Sequence, residues 1–182
     1  MRCFVAISPS ENVRKKLAAF ASECADVFPG MVKPSAPPNL HLTLSFLGET
    51  DPSRFEVIFD ALAAIRFPVF RLAARGGGFF PEEGPPRVLW AGTAPSKELC
   101  ALNELCEKTA VSLGFPRTSP SFMPHFTVGR VKGSGDGRLT SFMKKNSGLD
   151  FGEFSVESFS FFTSDLSGRD PVYTAVRDFP LL

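Results

Sequence analysis

His-Leu-Thr-Leu at residues 41–44 and His-Phe-Thr-Val at residues 125–128 are the two stretches from which the fold can be read. They contain both histidines of the chain. In an extended strand, side chains two residues apart point to the same side. His41 and Thr43 therefore share one face of a strand, and the leucines between and after them share the other. Each stretch offers an imidazole and a hydroxyl to a cleft and two apolar side chains to a core.

The second stretch repeats this arrangement with His125 and Thr127, about half the chain further along. A single histidine in a strand is more often a hydrogen-bonded structural residue than a catalyst. Two copies of one pattern that use every histidine of the chain favour the catalytic interpretation. We therefore predict that the two strands face one cleft holding two imidazoles and two hydroxyls.

The composition favours a small ligand or a strand end over a long nucleic acid. The 182 residues include 20 basic and 19 acidic side chains, a net charge of +1. Sequence-independent binding along a phosphate backbone needs many more cations than this balance provides. Most of the 20 phenylalanines are expected in the core, with a few able to stack on a nucleobase.

The cysteines and apolar segments indicate a cytoplasmic protein without a cofactor. None of the four cysteines has C-x-x-C spacing, so neither a zinc site nor a disulfide framework is indicated. No apolar run is long enough for a signal peptide or a membrane span. We expect reduced thiols, no bound metal and no membrane partner. The sequence does not determine the oligomeric state, and a monomer is the expectation.

Hydrophobic periodicity and turn residues predict an α+β chain. The predicted strands cover residues 2–7, 40–47, 69–74, 87–93, 124–131, 153–163 and 171–178. The predicted helices cover about 11–27, 52–65, 96–113 and 138–146, the third with Leu99, Leu102, Leu105, Cys106 and Val111 facing inward. The glycines at 76–78 are expected to break the strand before them. These glycines and the loop at 133–137 both lack the spacing of a phosphate-binding loop.

An outline repeat runs through the two halves of the chain. A helix, a proline-bearing lead-in, a motif strand, a turn and another helix occur twice, with lead-ins at 33–39 and 119–124. This order predicts a bilobal domain covering residues 1–182. Its two pseudo-symmetric lobes of antiparallel sheet would carry helices outside and one motif each across a central cleft.

Two imidazoles and two hydroxyls suit attack on a phosphorus atom. A neutral ring can take a proton from water, and a protonated ring can give one to a departing oxygen. Threonine hydroxyls can donate to oxygens that carry developing negative charge. No metal is required if the leaving oxygen is protonated, and a strained cyclic phosphate would open readily. No serine nucleophile elbow is present, and paired carboxylates cannot be identified without geometry.

The sequence resembles the 2H phosphoesterase superfamily, whose members carry paired H-x-T-x motifs. Residues 2–7, 39–48 and 124–130 resemble its bacterial and archaeal RNA 2′,3′-cyclic phosphodiesterases, also called 2′-5′ RNA ligases. The likeness covers nearly the whole chain. It implies a bilobal fold and hydrolysis of a terminal 2′,3′-cyclic phosphate to a 2′-phosphate, on RNA 3′ ends or small cyclic nucleotides. It further implies a weak, reversible 2′-5′ ligation.

The resemblance also implies a role for each motif residue. His41 would donate a proton to the leaving 3′-oxygen, His125 would activate water, and Thr43 and Thr127 would hold the phosphate. The nearly symmetric motifs cannot themselves decide which histidine is the acid.

Two further residues are candidates for substrate binding. Arg130 matches a basic residue that often closes the second motif of this family. Strict alternation places it on the face opposite His125, so it reaches the cleft only if the strand twists or bulges near Gly129. Phe4 is expected in the core, with a place in the cleft as the alternative.

Two other functions stay open from the sequence. One is a non-catalytic module that binds RNA ends. The other is a related phosphoesterase that acts on ADP-ribose cyclic phosphate or on oligonucleotide ends. The physiological RNA and the biological relevance of ligation cannot be read from the residues.

Overall fold

The computed structural model describes residues 1–117, 121–133, 135–168 and 170–182, which contain nine strands and four α-helices. The strands are β1 (Arg2–Ile7), β2 (Val32–Pro34), β3 (Leu42–Glu49), β4 (Phe70–Phe80), β5 (Val88–Thr93), β6 (His125–Val131), β7 (Asp150–Val156), β8 (Ser158–Asp165) and β9 (Val172–Pro180). The helices are α1 (Glu11–Val27), α2 (Phe55–Ala63), α3 (Lys97–Ser112) and α4 (Gly137–Lys145). The predicted α+β class is confirmed, since every strand pair is antiparallel.

Polar side chains begin three of the helices. Ser10 accepts a hydrogen bond from the N–H of Val13 at the start of α1, and Ser96 accepts one from Leu99 at the start of α3. Asp136 accepts two at the start of α4. Each cap satisfies a donor that the first helical turn leaves unpaired.

The strands form one curled sheet in the order β7-β4-β5-β6-β3-β1-β8-β9, with β2 paired to β6. Its two four-stranded halves meet between β3 and β6, where Leu42 pairs with Phe126. Further along, Gly129–Val131 of β6 pairs with β2 instead. The motif strands therefore touch at their beginnings and then diverge. This confirms two lobes of antiparallel sheet, each contributing one motif.

The helices cover one face of the sheet. Two of them, α1 and α3, each pack on the half of the sheet that does not contain the motif strand following them in the chain. In the chain, α1 lies between β1 and β3, yet it packs on β2, β6 and β7 of the other half. In turn, α3 lies between β5 and β6 but packs on β3. A continuous hydrophobic core joins residues of both halves beneath the helices. None of the helices among the described residues is long and apolar enough to cross a membrane.

The opposite side of the sheet, here called the cleft face, carries a separate small cluster. It contains Phe4, Ala6 and Phe162, with Tyr173 packed against it. Side chains of β1 alternate between the two faces, so Val5 and Ile7 belong to the large core. The histidine and the threonine of each motif also face this side of the sheet.

Two of the strand predictions were wrong in their extent. The glycines at 76–78 do not end a strand, because β4 continues to Phe80. The predicted strand at 153–163 is two strands, β7 and β8, which lie in opposite halves of the sheet. The lead-in at 33–39 contributes its first residues to β2 and contains a short 3₁₀ turn at Pro37–Asn39.

The helices also depart from their predicted faces and bounds. The second predicted helix begins with a 3₁₀ turn at Pro52–Arg54, and α2 itself ends at Ala63. On α3, Val111 is exposed, whereas Asn103 and Glu107 are buried. Asn103 is buried because of a tertiary hydrogen bond, in which its Nδ2 donates to Leu44 O at 2.7 Å. Residues 119, 120 and 134, in the second lead-in and the following loop, lie outside the described residues.

Candidate active site

The first motif histidine is held by the backbone just before β3. His41 Nδ1 lies 2.7 Å from the carbonyl oxygen of Asn39. A carbonyl can only accept a hydrogen bond, so Nδ1 carries the proton. The neutral ring then presents the lone pair of Nε2. This hydrogen bond from Nδ1 to the backbone carbonyl therefore selects the tautomer that suits proton exchange with a ligand.

The second motif histidine is held in the same way at the start of β6. His125 Nδ1 lies 2.7 Å from the carbonyl oxygen of Met123. In both motifs the acceptor is the residue two positions before the histidine. This local geometry repeats although the surrounding chain differs, and it leaves Nε2 as the free nitrogen of each ring.

The strand register brings the four motif side chains together. Leu42 and Phe126 are paired and fully buried on the core side. Carrying this antiparallel register one residue each way sets His41 beside Thr127 and Thr43 beside His125. The histidines are then diagonal neighbours, which are about 7–8 Å apart in antiparallel strands. Both threonines are half-buried. The predicted grouping of the four side chains on one face agrees with this register.

Burial keeps the imidazoles neutral in the free site. The pKa of His41 is lowered to about 4, chiefly by desolvation and also by the neighbouring His125 and Arg130, while the Asn39 carbonyl opposes the shift. Burial also lowers the pKa of His125, against the effect of the Met123 carbonyl. Positive charge is disfavoured in this part of the cleft because little water reaches it. A bound anion would favour the protonated, positively charged form of the imidazoles.

A β-bulge turns Arg130 to the cleft face. Thr127 pairs with Trp90 of β5 and Gly129 pairs with Leu89, so Val128 is an extra residue in β6. The bulge shifts the alternation by one position, and Arg130 lies on the same side as Thr127. Its influence on the pKa of His41 agrees with this placement. Its side chain is exposed.

Phe4 lies on the cleft face but is covered by the first histidine. Its ring stacks on His41 with centroids 4.7 Å apart, and only 4% of the residue is exposed. Phe162 stacks behind it at 5.1 Å, and Tyr173 contacts His41 edge-on at 5.0 Å. Phe4 therefore packs against the ring of His41 on its protein side and stabilises the position of the imidazole.

Aromatic side chains that the sequence reasoning missed line the cleft on the second lobe. The ring of Phe80 lies edge-on to His125 at 5.0 Å and 5.5 Å from Trp90. Phe80 was missed because its strand was predicted to end at the glycines. Trp90 could have been found, since along β5 it alternates with the buried Leu89 and Ala91 and therefore faces the cleft side. Tyr173 and Phe162 carry no local signal, because they reach His41 only through the tertiary fold.

No cluster of three or more His, Cys, Asp or Glu side chains that could hold a metal ion occurs within the described ranges of the chain. The four cysteines are free thiols. The imidazoles and hydroxyls of the two motifs can transfer protons and donate hydrogen bonds.

The model of the LigT-like phosphoesterase family matches the chain twice, over residues 7–90 and 94–173. The chain belongs to the LigT-like phosphoesterase family. The two matches place one motif each in a copy of the family unit, which agrees with the repeat read from the sequence. Membership confirms the resemblance to the 2H phosphoesterases and the predicted enzyme class.

Named relatives of this LigT-like phosphoesterase cover nearly its whole length. The RNA 2′,3′-cyclic phosphodiesterase of Archaeoglobus fulgidus is 35% identical over 179 residues, which are 98% of this chain and 99% of that protein. The enzyme of the same name from Thermotoga maritima is 33% identical over 182 residues, covering 98% and 94% of the two chains.

Solved structures share the same fold. TT0787 of Thermus thermophilus superposes with a TM-score of 0.84 at 32% identity and covers 100% of this chain and 98% of that one. Escherichia coli LigT complexed with 3′-AMP gives 0.81 at 25% identity, with coverage of 99% and 97%. These matches support the bilobal architecture over the entire chain.

Proposed function

We propose that this phosphoesterase hydrolyses 2′,3′-cyclic phosphates at RNA 3′ ends or on nucleotides to 2′-phosphates. The observation that carries the proposal is the meeting of two His-x-Thr motifs at the junction of β3 and β6, each with Nδ1 held by a carbonyl. The names of the full-length relatives support the substrate class.

The proposed reaction is an in-line displacement at phosphorus. His125 takes a proton from water as the water oxygen forms its bond to phosphorus. His41, in its protonated form, gives a proton through Nε2 to the 3′-oxygen as the P–O3′ bond breaks. Thr43 and Thr127 donate hydrogen bonds to the non-bridging oxygens, where negative charge increases. The roles of the two histidines follow the family pattern.

The required charge state arises on substrate binding. Both imidazoles are neutral in the free site at pH 7, because burial lowers both pKa values. A cyclic phosphate is an anion, and its negative charge between the rings would raise their pKa values and let one ring take a proton. The positive charge of Arg130 would further favour the bound anion.

The two histidines perform the acid and base steps without a metal ion, and a ribose 5′-hydroxyl in place of water gives reversible 2′-5′ ligation. Arg130 binds the substrate, and Phe4 acts through its stacking under His41. The chain works as a single bilobal domain in the cytoplasm, as a monomer.

The decisive experiment measures turnover of 2′,3′-cyclic AMP and of a cyclic-ended oligonucleotide with EDTA present. The wild-type chain should release the 2′-phosphate, identified by ³¹P NMR. His41→Ala and His125→Ala should each lower turnover by roughly 10²–10⁴-fold, because each removes a proton-transfer group. Cys100→Ala, an exposed change on α3, is the control and should leave the rate unchanged.

Three outcomes would contradict the proposal. Unchanged turnover in either histidine variant would exclude the two-histidine mechanism. Binding of cyclic ends without product would identify a non-catalytic RNA-end module. Faster turnover of ADP-ribose cyclic phosphate, added to the assay as a third substrate, would assign a different substrate.

A further inference from the structure

The side chain of Asn39 joins two segments that are far apart in the sequence. Its Nδ2 donates to the carbonyl oxygen of Pro171 at 2.8 Å. Its Oδ1 accepts from the backbone N–H of Tyr173 at 3.4 Å. Both amide atoms are therefore used to hold the beginning of β9 against the lead-in of the first motif. We call these two hydrogen bonds the Asn39 bridge.

The backbone of the same residue holds the first histidine. The Asn39 carbonyl is the acceptor for Nδ1 of His41. Tyr173, fixed by the Asn39 bridge, presses its ring edge-on against His41 at 5.0 Å and against Phe4 at 5.3 Å. Asn39 thus accepts a hydrogen bond from the imidazole with its backbone carbonyl. With its side-chain amide it holds the segment that carries Tyr173, which packs against the same imidazole.

We propose that Asn39 is a positioning residue for His41. By fixing Tyr173 against the ring, the Asn39 bridge keeps the imidazole on its carbonyl acceptor with Nε2 directed into the cleft. The residue does not touch the reacting atoms and acts only through His41.

The other contacts around this lead-in make the effect of Asn39 separable. Arg14 Nη1 donates to the carbonyl of Pro37 at 3.1 Å and lies 3.5 Å from that of Leu40, which ties the lead-in to α1 independently of the bridge. On the other side, Lys33 pairs with Asp170, but both side chains are at least one-third exposed, and such pairs contribute little. Removing the amide should therefore loosen Tyr173, which keeps its pairing with Ser164 of β8, while the lead-in stays in place.

The test follows the His41 ring directly by ¹⁵N NMR titration. The titratable and charged groups that face this ring are His125 and Arg130 from β6 and Tyr173 from β9. In Asn39→Ala, water should enter beside the ring. The pKa of His41 should then rise toward its ordinary value, because burial is the largest cause of its depression. Signal from the Nε2–H tautomer should appear as well.

His125 provides an internal control in the same spectrum, since its anchor is Met123 and should not change. Asn39→Ser is a second, uncharged variant whose short hydroxyl cannot hold both the Pro171 carbonyl and the Tyr173 N–H, and it adds no charge that would itself shift the pKa of His41. It should give an intermediate pKa and covers the case in which Asn39→Ala does not fold. Asn146→Ala removes a comparable side-chain hydrogen bond to a backbone carbonyl, that of Phe142 on α4, and should leave both histidines unaffected.

The kinetic readout rests on the proposed function, whereas the NMR readout does not. With 2′,3′-cyclic AMP, Asn39→Ala should lower kcat by up to about a hundredfold with little change in KM, because a misplaced proton donor affects the chemical step. A His41 pKa and tautomer identical to wild type in both Asn39 variants would overturn the inference. An NMR change in a chain that never hydrolyses a cyclic phosphate would support the positioning role and reject the proposed activity.

Discussion

The two motif histidines share an anchor but differ in their surroundings. Each ring gives its Nδ1 proton to a carbonyl two residues earlier. His41 is enclosed by Phe4 and Tyr173, whereas His125 has Phe80 at its edge. The deeper enclosure explains why the pKa of His41 falls as low as about 4. The nearly symmetric motifs thus become chemically unequal through their neighbours.

The half-buried, neutral His41 should make stability depend on pH. Its pKa is about 4 in the folded chain and near 6.5 when unfolded. Between these values the unfolded chain binds the proton more readily, so stability is complete above about pH 6.5 and declines as the pH falls toward 4. The wild type should lose up to about 3 kcal/mol more than His41→Gln between pH 7 and pH 4.

Urea unfolding at several pH values measures this difference. Carboxylate titrations are common to both chains and cancel in the comparison. Equal pH dependence of the two chains would mean that His41 titrates normally in the folded state.

At the scale of elements, β4 shows why the glycines at 76–78 were wrongly predicted to end a strand. Gly78 lies opposite Trp90, and a Cβ at Gly78 would come within 2.1 Å of the indole ring. The glycine therefore belongs to the strand because the tryptophan ring lies across it. Glycine has a low intrinsic propensity for strands, but at position 78 the packing of the partner strand requires it.

Gly78→Ala should destabilise the chain because the added methyl group overlaps the Trp90 ring. The expected loss is about 1–3 kcal/mol in the free energy of unfolding, measured by urea denaturation. Gly137→Ala is the matched control, since nothing lies within 4 Å of a Cβ there and the position begins α4. It should be neutral or slightly stabilising. Equal stability of the two variants would contradict the packing argument.

The bulge in β6 is a second feature that the single strand could not reveal. The sequence analysis placed Arg130 on the cleft face only if the strand bulged near Gly129. The extra residue is Val128, one position earlier, and it is recognised by the register with β5. Register is a property of two strands, so the decision depends on residues about 40 positions away in the sequence.

The exchange of helices ties the whole molecule together. Helix α1 packs on the half of the sheet that carries the second motif, and α3 packs on the half that carries the first. Each half of the sheet is therefore covered by a helix that belongs, in chain order, to the other motif. The hydrophobic core is continuous across both halves. Similar repeats in the sequence are therefore combined into interdependent lobes and not into two separable units.

This arrangement predicts a single cooperative unfolding transition for residues 1–182. Differential scanning calorimetry should give a calorimetric enthalpy equal to the van't Hoff enthalpy. Two resolved transitions would show that the lobes unfold independently and would contradict a single domain. His41→Gln should shift the transition without splitting it.

The paired motifs, their alternation and their flanking prolines determined by themselves the fold class, the two lobes and the four motif residues. These features are local, because strand periodicity and turn chemistry depend on neighbours within a few positions. The tertiary structure alone decided the exchange of α1 and α3, the side of the sheet that Arg130 takes, and the enclosure of His41 by Tyr173. Each of these depends on register and packing between distant segments, for which a single sequence carries no local signal.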